Sequence, residues 1–181
     1  MKQNQTKIWV YADWEFLEEA QLMGFLTSQR VRGKEIFSFE YTETWVNAQN
    51  PILLLDPHLG FYKGKQYLPD EKNNFGVFLD SSPDRWGRLL MRRREAWQAK
   101  QEGRDERTLF ESDFLLGVFD GHRMGGVRFK LSEDGVFMND QKKMATPPWT
   151  SLRELEHASL QLERDDAMNH PEYAQWLTVL I

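Results

Sequence analysis

The first part of the chain shows the two-residue hydrophobic period of β-strands. Residues 8–12 (IWVYA) and 22–27 form short apolar runs, and residues 35–41 (EIFSFEY) alternate, with their three aromatic residues on one side. Successive side chains of a strand point to opposite faces, so the aromatic side is expected to face a core. The pattern predicts three strands, the first two of which are joined as a hairpin.

Short connections follow these strands. Residues 42–47 are compatible with a helical turn that ends at Asn50-Pro51, and residues 52–55 form a brief apolar run that Asp56-Pro57 closes. Proline disfavours helical backbone in the residue before it, so both X-Pro pairs mark breaks. The first half of the chain is therefore predicted to be β-rich.

Residues 75–96 (FGVFLDSSPDRWGRLLMRRREA) join an apolar, strand-like run to a sharp polar turn and a basic helix. Ser82 is expected to accept hydrogen bonds from the first helical turn, with Pro83 at the first helical position and Asp84 at the positive end of the helix dipole. The pattern predicts a helix from Pro83 to about Gln101, stopped by Gly103.

The next segment returns the chain to the sheet. Residues 111–118 (ESDFLLGV) predict a short buried helix. Residues 125–131 and 136–138 flank an Asp134-Gly135 pair, which supplies the turn chemistry of a hairpin.

A polar stretch with a Pro-Pro pair, residues 139–150, is the best candidate for a subdomain boundary. After it, Ser151 and Glu154 have the spacing of a capping box. The helix that follows is predicted to bury a stripe made of Leu152, Leu155 and Leu162.

Residues 171–181 end on an apolar Trp-Leu-Thr-Val-Leu-Ile sequence, which we expect a partner or a downstream segment to cover.

These elements predict an α+β fold: a small antiparallel β-rich N-terminal subdomain, as a sheet or a partial barrel, with packed helices. The predicted division is 1–140 for this subdomain and 141–181 for a linker and further helices. The 181 residues suffice for one domain, or for one domain and part of a second.

Composition narrows the classes of function. The chain is 40% hydrophobic with seven Trp and 12 Phe, which argues against disorder, and it has no Cys, which excludes disulfides and thiolate chemistry. No run approaches the roughly twenty apolar residues of a membrane span, and no secretion signal is recognisable. A cytoplasmic location without membrane contact is therefore expected, and the net charge of −5 argues against whole-surface binding to nucleic acid.

Motifs for catalysis are missing. The chain has no phosphate loop, its Phe119-Asp120-Gly121 order differs from a kinase metal-binding motif, and its four His are far apart. Ser81 and Ser82 lie outside any nucleophile elbow. We therefore assign no catalytic, cofactor-binding or metal-ligating residue.

The basic helix is the one candidate interaction surface. Its candidate residues are Arg85, Arg88, Arg92 and Arg93, with Arg94 beside them. Three interpretations stay open: a solvated face, a phosphate-binding site, or a surface for an acidic protein. Glu95, Glu102, Asp105 and Glu106 follow closely and are placed to neutralise part of this charge.

Several separated motifs, in the right order, resemble the N-terminal region of HipA-type toxins, the serine/threonine kinases of bacterial toxin-antitoxin systems. The matching segments are residues 10–12, 23–26, 32–41, 75–96, 115–118 and 123–129.

The resemblance implies a β-rich N-terminal subdomain that leads into an incomplete kinase N-lobe. The implied partners are a helix-turn-helix antitoxin or the remainder of the kinase. In the family, the residues that bind ATP and magnesium and the catalytic aspartate lie downstream of the matched part. No cofactor and no kinase activity are therefore expected for this chain alone.

The implied function is that of a non-catalytic, protein-binding portion of such a kinase. A free-standing regulatory subunit of a split HipA-type kinase is one alternative. A nucleic-acid-binding module that uses the basic helix is another, and it predicts affinity that falls steeply with salt.

Overall fold

The computed structural model describes residues 5–48, 55–69, 72–138, 152–164 and 166–180. The chain forms two compact units. The first, here called the sheet unit, comprises Met1–Ser82 and Phe110–Asp140; the second, the helical unit, comprises Pro83–Leu109 and Gln141–Ile181. The predicted division into 1–140 and 141–181 stays a prediction, and the basic helix groups with the C-terminal helices.

The sheet unit is built on a five-stranded antiparallel sheet with the order β4-β3-β2-β1-β5. The strands are β1 (Gln5–Ala12), β2 (Gln21–Val31), β3 (Lys34–Tyr41), β4 (Gln66–Tyr67) and β5 (Val127–Lys130). With six α-helices among the described residues, this confirms the α+β class. The incomplete kinase N-lobe stays a prediction.

The β2–β3 hairpin turns on Arg32 and Gly33, whose φ values are 49° and 78°. A two-residue loop with positive φ at both positions matches the right-handed twist of the flanking strands. Arg32 is the one non-glycine residue of the described chain with positive φ.

One face of the sheet forms the core. The aromatic side of β3 is buried, as predicted: Phe37, Phe39 and Tyr41 are at most 4% exposed. Further buried residues of this cluster are Ile8, Val10, Met23, Leu26, Phe75, Phe78, Leu115 and Phe129. The predicted helical turn after β3 is confirmed as α1 (Glu43–Asn47), with Thr42 as its N-cap.

The strand-like interpretation of the run that starts at Phe75 is wrong, because Gly76–Asp80 form a helix, α2. Its cap comes from a distant part of the chain: the Asp56 carboxylate accepts a hydrogen bond from Val77 N at 3.2 Å. Phe75 and Phe78 then pack on Phe39, with ring centroids 6.5 and 5.4 Å away. An apolar run too short to show a period fits either element, and here tertiary capping decides.

Helix α4 (Glu111–Gly117) confirms the predicted short buried helix. The second predicted hairpin is only half correct. β5 forms, but the described residues 136–138 make no returning strand; Met138 N donates to the Phe129 carbonyl at 2.8 Å, and Gly135 N closes a turn on Ser132 O at 3.2 Å.

In the helical unit, α3 (Arg85–Glu102) begins later than predicted. Asp84 is the N-cap, and its carboxylate accepts from Gly87 N at 2.8 Å. Ser82 instead donates its hydroxyl to the Phe78 carbonyl at 2.8 Å, so the predicted capping role of Ser82 and the first-turn position of Pro83 are wrong. Gly103 ends the helix in left-handed conformation, with φ 64°, as predicted.

Helices α5 (Leu152–Leu162) and α6 (Tyr173–Leu180) complete the helical unit. Its core consists of Leu90, Ala158, Leu162, Ala167, Tyr173, Trp176 and Leu177, with Trp86 and Trp97 packed against it. The predicted stripe of α5 is wrong at Leu152, which is 85% exposed.

The expectation of an uncovered apolar end is also wrong for Trp176 and Leu177, which are 6% and 3% exposed within this unit. The predictions for Asn50-Pro51, residues 52–54, residues 139–150 and Ser151 lie outside the described residues.

Candidate protein-interaction surface on helix α3

The exposed arginines of α3 lie on one side of the helix. Arg85 and Arg92 are both exposed and are two helical turns apart. Residues at this spacing share a face, about 10 Å apart along the axis. Arg85 makes no ion pair among the residues that the structure describes.

The other two predicted surface residues have structural contacts. Arg93 donates from Nη1 to the carbonyl of Leu162, the last residue of α5. Helix ends leave carbonyl groups without partners, so this cation satisfies one of them and complements the helix dipole. Arg88 donates from Nε to the Pro83 carbonyl at 3.0 Å, ahead of the first turn of its own helix. The four arginines therefore divide into an exposed pair and a structural pair.

The side of α3 opposite the exposed arginines is packed in the core of the helical unit. Leu90 is 1% exposed within the core of the unit, and Trp86 and Trp97 pack beside it. Arg94 is partly buried, and this burial lowers the pKa of its guanidinium. Packing of one side fixes which side chains face outward.

Two of the acidic residues that follow the basic segment, Glu95 and Glu102, pair with arginines outside the predicted surface. Glu95 is buried, and its carboxylate accepts from Arg104 Nη1 at 2.5 Å and from Arg107 Nη2 at 3.1 Å and N at 3.1 Å. These hydrogen bonds, first from Arg104 and then from Arg107, lower the pKa of Glu95 to about 2. Glu102 accepts from Arg104 Nε at 2.5 Å.

This Glu95 clamp was missed by the sequence interpretation. It joins a helical residue to a segment beyond the Gly103 stop, a spacing that no local motif describes. As a result, the carboxylates of Glu95 and Glu102 are engaged by Arg104 and Arg107 beyond the predicted surface.

In the sheet unit, the carboxylates of Glu35 and Asp120 have structural partners. Glu35 accepts from Ser28 Oγ at 2.6 Å and from Ser112 N at 3.0 Å, which ties β2 and β3 to the start of α4. Asp120 pairs with Arg128, which also contacts Asp13 at 3.1 Å. These ion pairs join elements of the sheet unit to one another.

The residues considered earlier for catalysis are also engaged in the fold. The Ser81 hydroxyl donates to Val77 O at 3.1 Å. His58 lies beside Asp56, with Nδ1 3.3 Å from Oδ1, but the other oxygen of that carboxylate caps α2. Within the described ranges, no three His, Asp or Glu side chains form a group that could hold a metal ion.

In the part of the chain with described coordinates, no helix combines the length and the apolar character needed to cross a bilayer. Compared with protein-family models, with curated proteins and with solved structures, the chain shows no match.

Proposed function

We propose that this chain is a non-catalytic, protein-binding portion of a HipA-type serine/threonine kinase system. The resemblance of the separated motifs supports this family. The observation that carries the binding role is the exposure of Arg85 and Arg92, two helical turns apart on one face of α3. A rigid helix with exposed guanidinium groups suits recognition of carboxylates on a protein surface.

The proposed partner is a helix-turn-helix antitoxin or the remainder of the kinase, which contacts α3 through acidic side chains. Arginine is enriched at protein interfaces and accounts for much of their binding energy. The proposal assigns Arg93 and Arg88 to the fold, so substitution of these two residues confuses loss of binding with loss of structure.

The test is copurification of the tagged chain with a co-expressed helix-turn-helix protein encoded beside its gene. Wild type is compared with an Arg85→Glu/Arg92→Glu variant. The matched control is a Lys34→Glu/Lys65→Glu variant, which makes the same change of charge at exposed lysines of the sheet unit. Circular dichroism checks that all three proteins fold alike.

We expect the Arg85/Arg92 variant to lose at least about tenfold in affinity, and the control to lose less than about threefold. Equal retention of the partner by all three proteins would return the arginines to a solvated face. Binding of single-stranded or duplex DNA that falls steeply with salt, and that needs the same arginines, would favour the nucleic-acid alternative.

The regulatory-subunit alternative is distinguished by gene context. A complete short kinase gene next to this one would indicate a split system. An adjacent reading frame that begins with the phosphate loop would indicate one interrupted kinase. The proposed binding role of α3 is the same in both cases.

A further inference from the structure

The sheet unit contains a cleft of about 400 Å³ between the start of β2 and helix α1. One wall is formed by residues 19–22, and the other by Thr42, Thr44, Trp45 and Ala48. This volume lies near the lower end of the range of small-ligand pockets and is more than enough for one long side chain. The cleft is separate from the arginines of α3 and belongs to the other unit.

The two walls of the cleft are held in place before any ligand arrives. Thr42 N donates to Met23 O at 3.0 Å, and the Thr42 hydroxyl accepts from Trp45 N at 3.1 Å. The same hydroxyl donates to Leu22 O at 3.3 Å. Trp45 is 5% exposed and is held edge-on by Trp14, with ring centroids 5.6 Å apart. A preformed cleft binds with a smaller loss of conformational entropy.

The described lining combines apolar side chains, neutral polar side chains and one charge. Leu22 and Trp45 supply carbon surface, whereas Thr44 and Gln21 are exposed, neutral and polar. Among the described residues of the lining, Glu19 is the one that is ionisable. Its carboxylate is exposed and makes no hydrogen bond or ion pair with the described residues.

The surroundings add to the negative potential at Glu19. The connection between β1 and β2, residues 13–20, carries Glu15, Glu18 and Glu19 besides Asp13, which pairs with Arg128, and it has no Lys or Arg. A cleft that combines carbon surface from Leu22 and the edge of Trp45 with a carboxylate at its rim complements a cation on an apolar stem. Lysine and arginine side chains have this form, because they bury their methylene groups and keep the charged head at an anion.

We infer that the cleft between β2 and α1 binds a lysine or arginine side chain presented by a partner protein. The methylene stem lies along Leu22 and Trp45, and the charged head pairs with the Glu19 carboxylate at the rim. The inference does not rest on α3, so it stands or fails separately from the proposed function.

The test uses an acetylated, amidated Gly-Gly-Lys-Gly-Gly peptide as the probe. Peptides with arginine, norleucine or glutamate at the centre are titrated in parallel. Binding is followed by ¹H–¹⁵N spectra, through the Trp45 indole and the amides of Gln21 and Thr44. We expect saturable shifts with a Kd of about 1 mM for the lysine and arginine peptides. Norleucine should bind at least about fivefold more weakly.

Two variants locate the site. Glu19→Gln should weaken binding of the lysine peptide about fivefold, whereas Glu18→Gln, the same change one residue away from the lining, should leave it within about twofold. Thr44→Arg places a long side chain at an exposed rim position and should abolish the shifts. Unchanged spectra elsewhere in the sheet confirm that each variant folds.

Three outcomes would overturn the inference. One is the absence of saturable shifts at the cleft residues with the basic peptides. Another is equal weakening by Glu18→Gln and Glu19→Gln, which indicates diffuse attraction to the acidic connection. The third is equal binding of the glutamate or norleucine peptide, or full binding to Thr44→Arg.

Discussion

Among the polar side chains described in the sheet unit, Arg123 is the one whose replacement we expect to destabilise the fold most. Its Nη1 donates to Ser81 O at 2.9 Å and to Leu115 O at 2.8 Å, and its Nη2 donates to Val118 O at 3.1 Å. Its Cζ lies 4.6 Å from the centre of the Phe129 ring. One guanidinium thus joins the end of α2, the end of α4 and the sheet.

The expected loss of stability follows from the three carbonyl groups that lose their hydrogen-bond donor when Arg123 is replaced. Each carbonyl that loses a charged donor costs about 1–3 kcal/mol when no other donor replaces it. Three such losses, reduced by partial access of water, give about 3–5 kcal/mol for Arg123→Met. Burial lowers the pKa of Arg123 to about 10, so the side chain remains charged at neutral pH.

The assay is urea unfolding at pH 7, with hydrogen exchange of β1 and β2 amides as the readout of the sheet unit. Arg123→Lys keeps the charge but not the planar fork, so we expect about half the loss of Arg123→Met. Arg153→Met, at an exposed position of α5, is the matched control and should change stability by less than about 0.5 kcal/mol. A loss below about 1 kcal/mol for Arg123→Met would refute the reasoning.

Two further predictions concern the Glu95 clamp and one glycine. The pKa of Glu95 falls from 4.5 to about 2 on folding, so its contribution is present above pH 4.5 and is lost as the pH falls from 4.5 to 2. Since Arg107 is 65% exposed, solvent screening reduces this contribution to the free energy of unfolding to on the order of 1–2 kcal/mol. Glu95→Gln should therefore weaken the fall in stability between pH 4.5 and 2. A fall equal to that of wild type would contradict this. Gly126→Ala places a Cβ against the Trp14 ring and 2.9 Å from Asp13 O, so calorimetry should show about 1–3 kcal/mol of destabilisation. A melting temperature equal to that of wild type would mean that Trp14 moves aside freely.

The sequence predicted those elements whose signal is local. The alternation in β3, the Gly103 stop of α3 and the short helix α4 all follow from residues within the element itself. Each is decided by periodicity or by a single capping residue, and these act over a few positions.

The errors arose where a distant residue decides the local structure. Helix α2 depends on Asp56, about twenty positions earlier, and no window around Phe75 contains that information. At the start of α3, Ser82 and Asp84 are both good caps, and the bond of Ser82 to Phe78 O settles the choice.

The candidate surface was predicted as a set of arginines but not as two groups. The sequence places Arg85 and Arg92 on one face, because helical spacing alone fixes that. The contact of Arg93 with Leu162, and the pairing of Glu95 with Arg104 and Arg107, depend on how the chain folds back beyond the helix. The Glu19 cleft had no sequence signal, since its walls are brought together by the Thr42 cap.

Under the proposed function, this chain is a binding portion of a kinase system and does not itself transfer phosphate. The direct measurement is incubation of the purified chain with γ-labelled ATP and Mg²⁺, with and without a co-expressed helix-turn-helix protein. The account predicts no label on either protein. Labelled phosphate on any protein, dependent on this chain and on Mg²⁺, would contradict it.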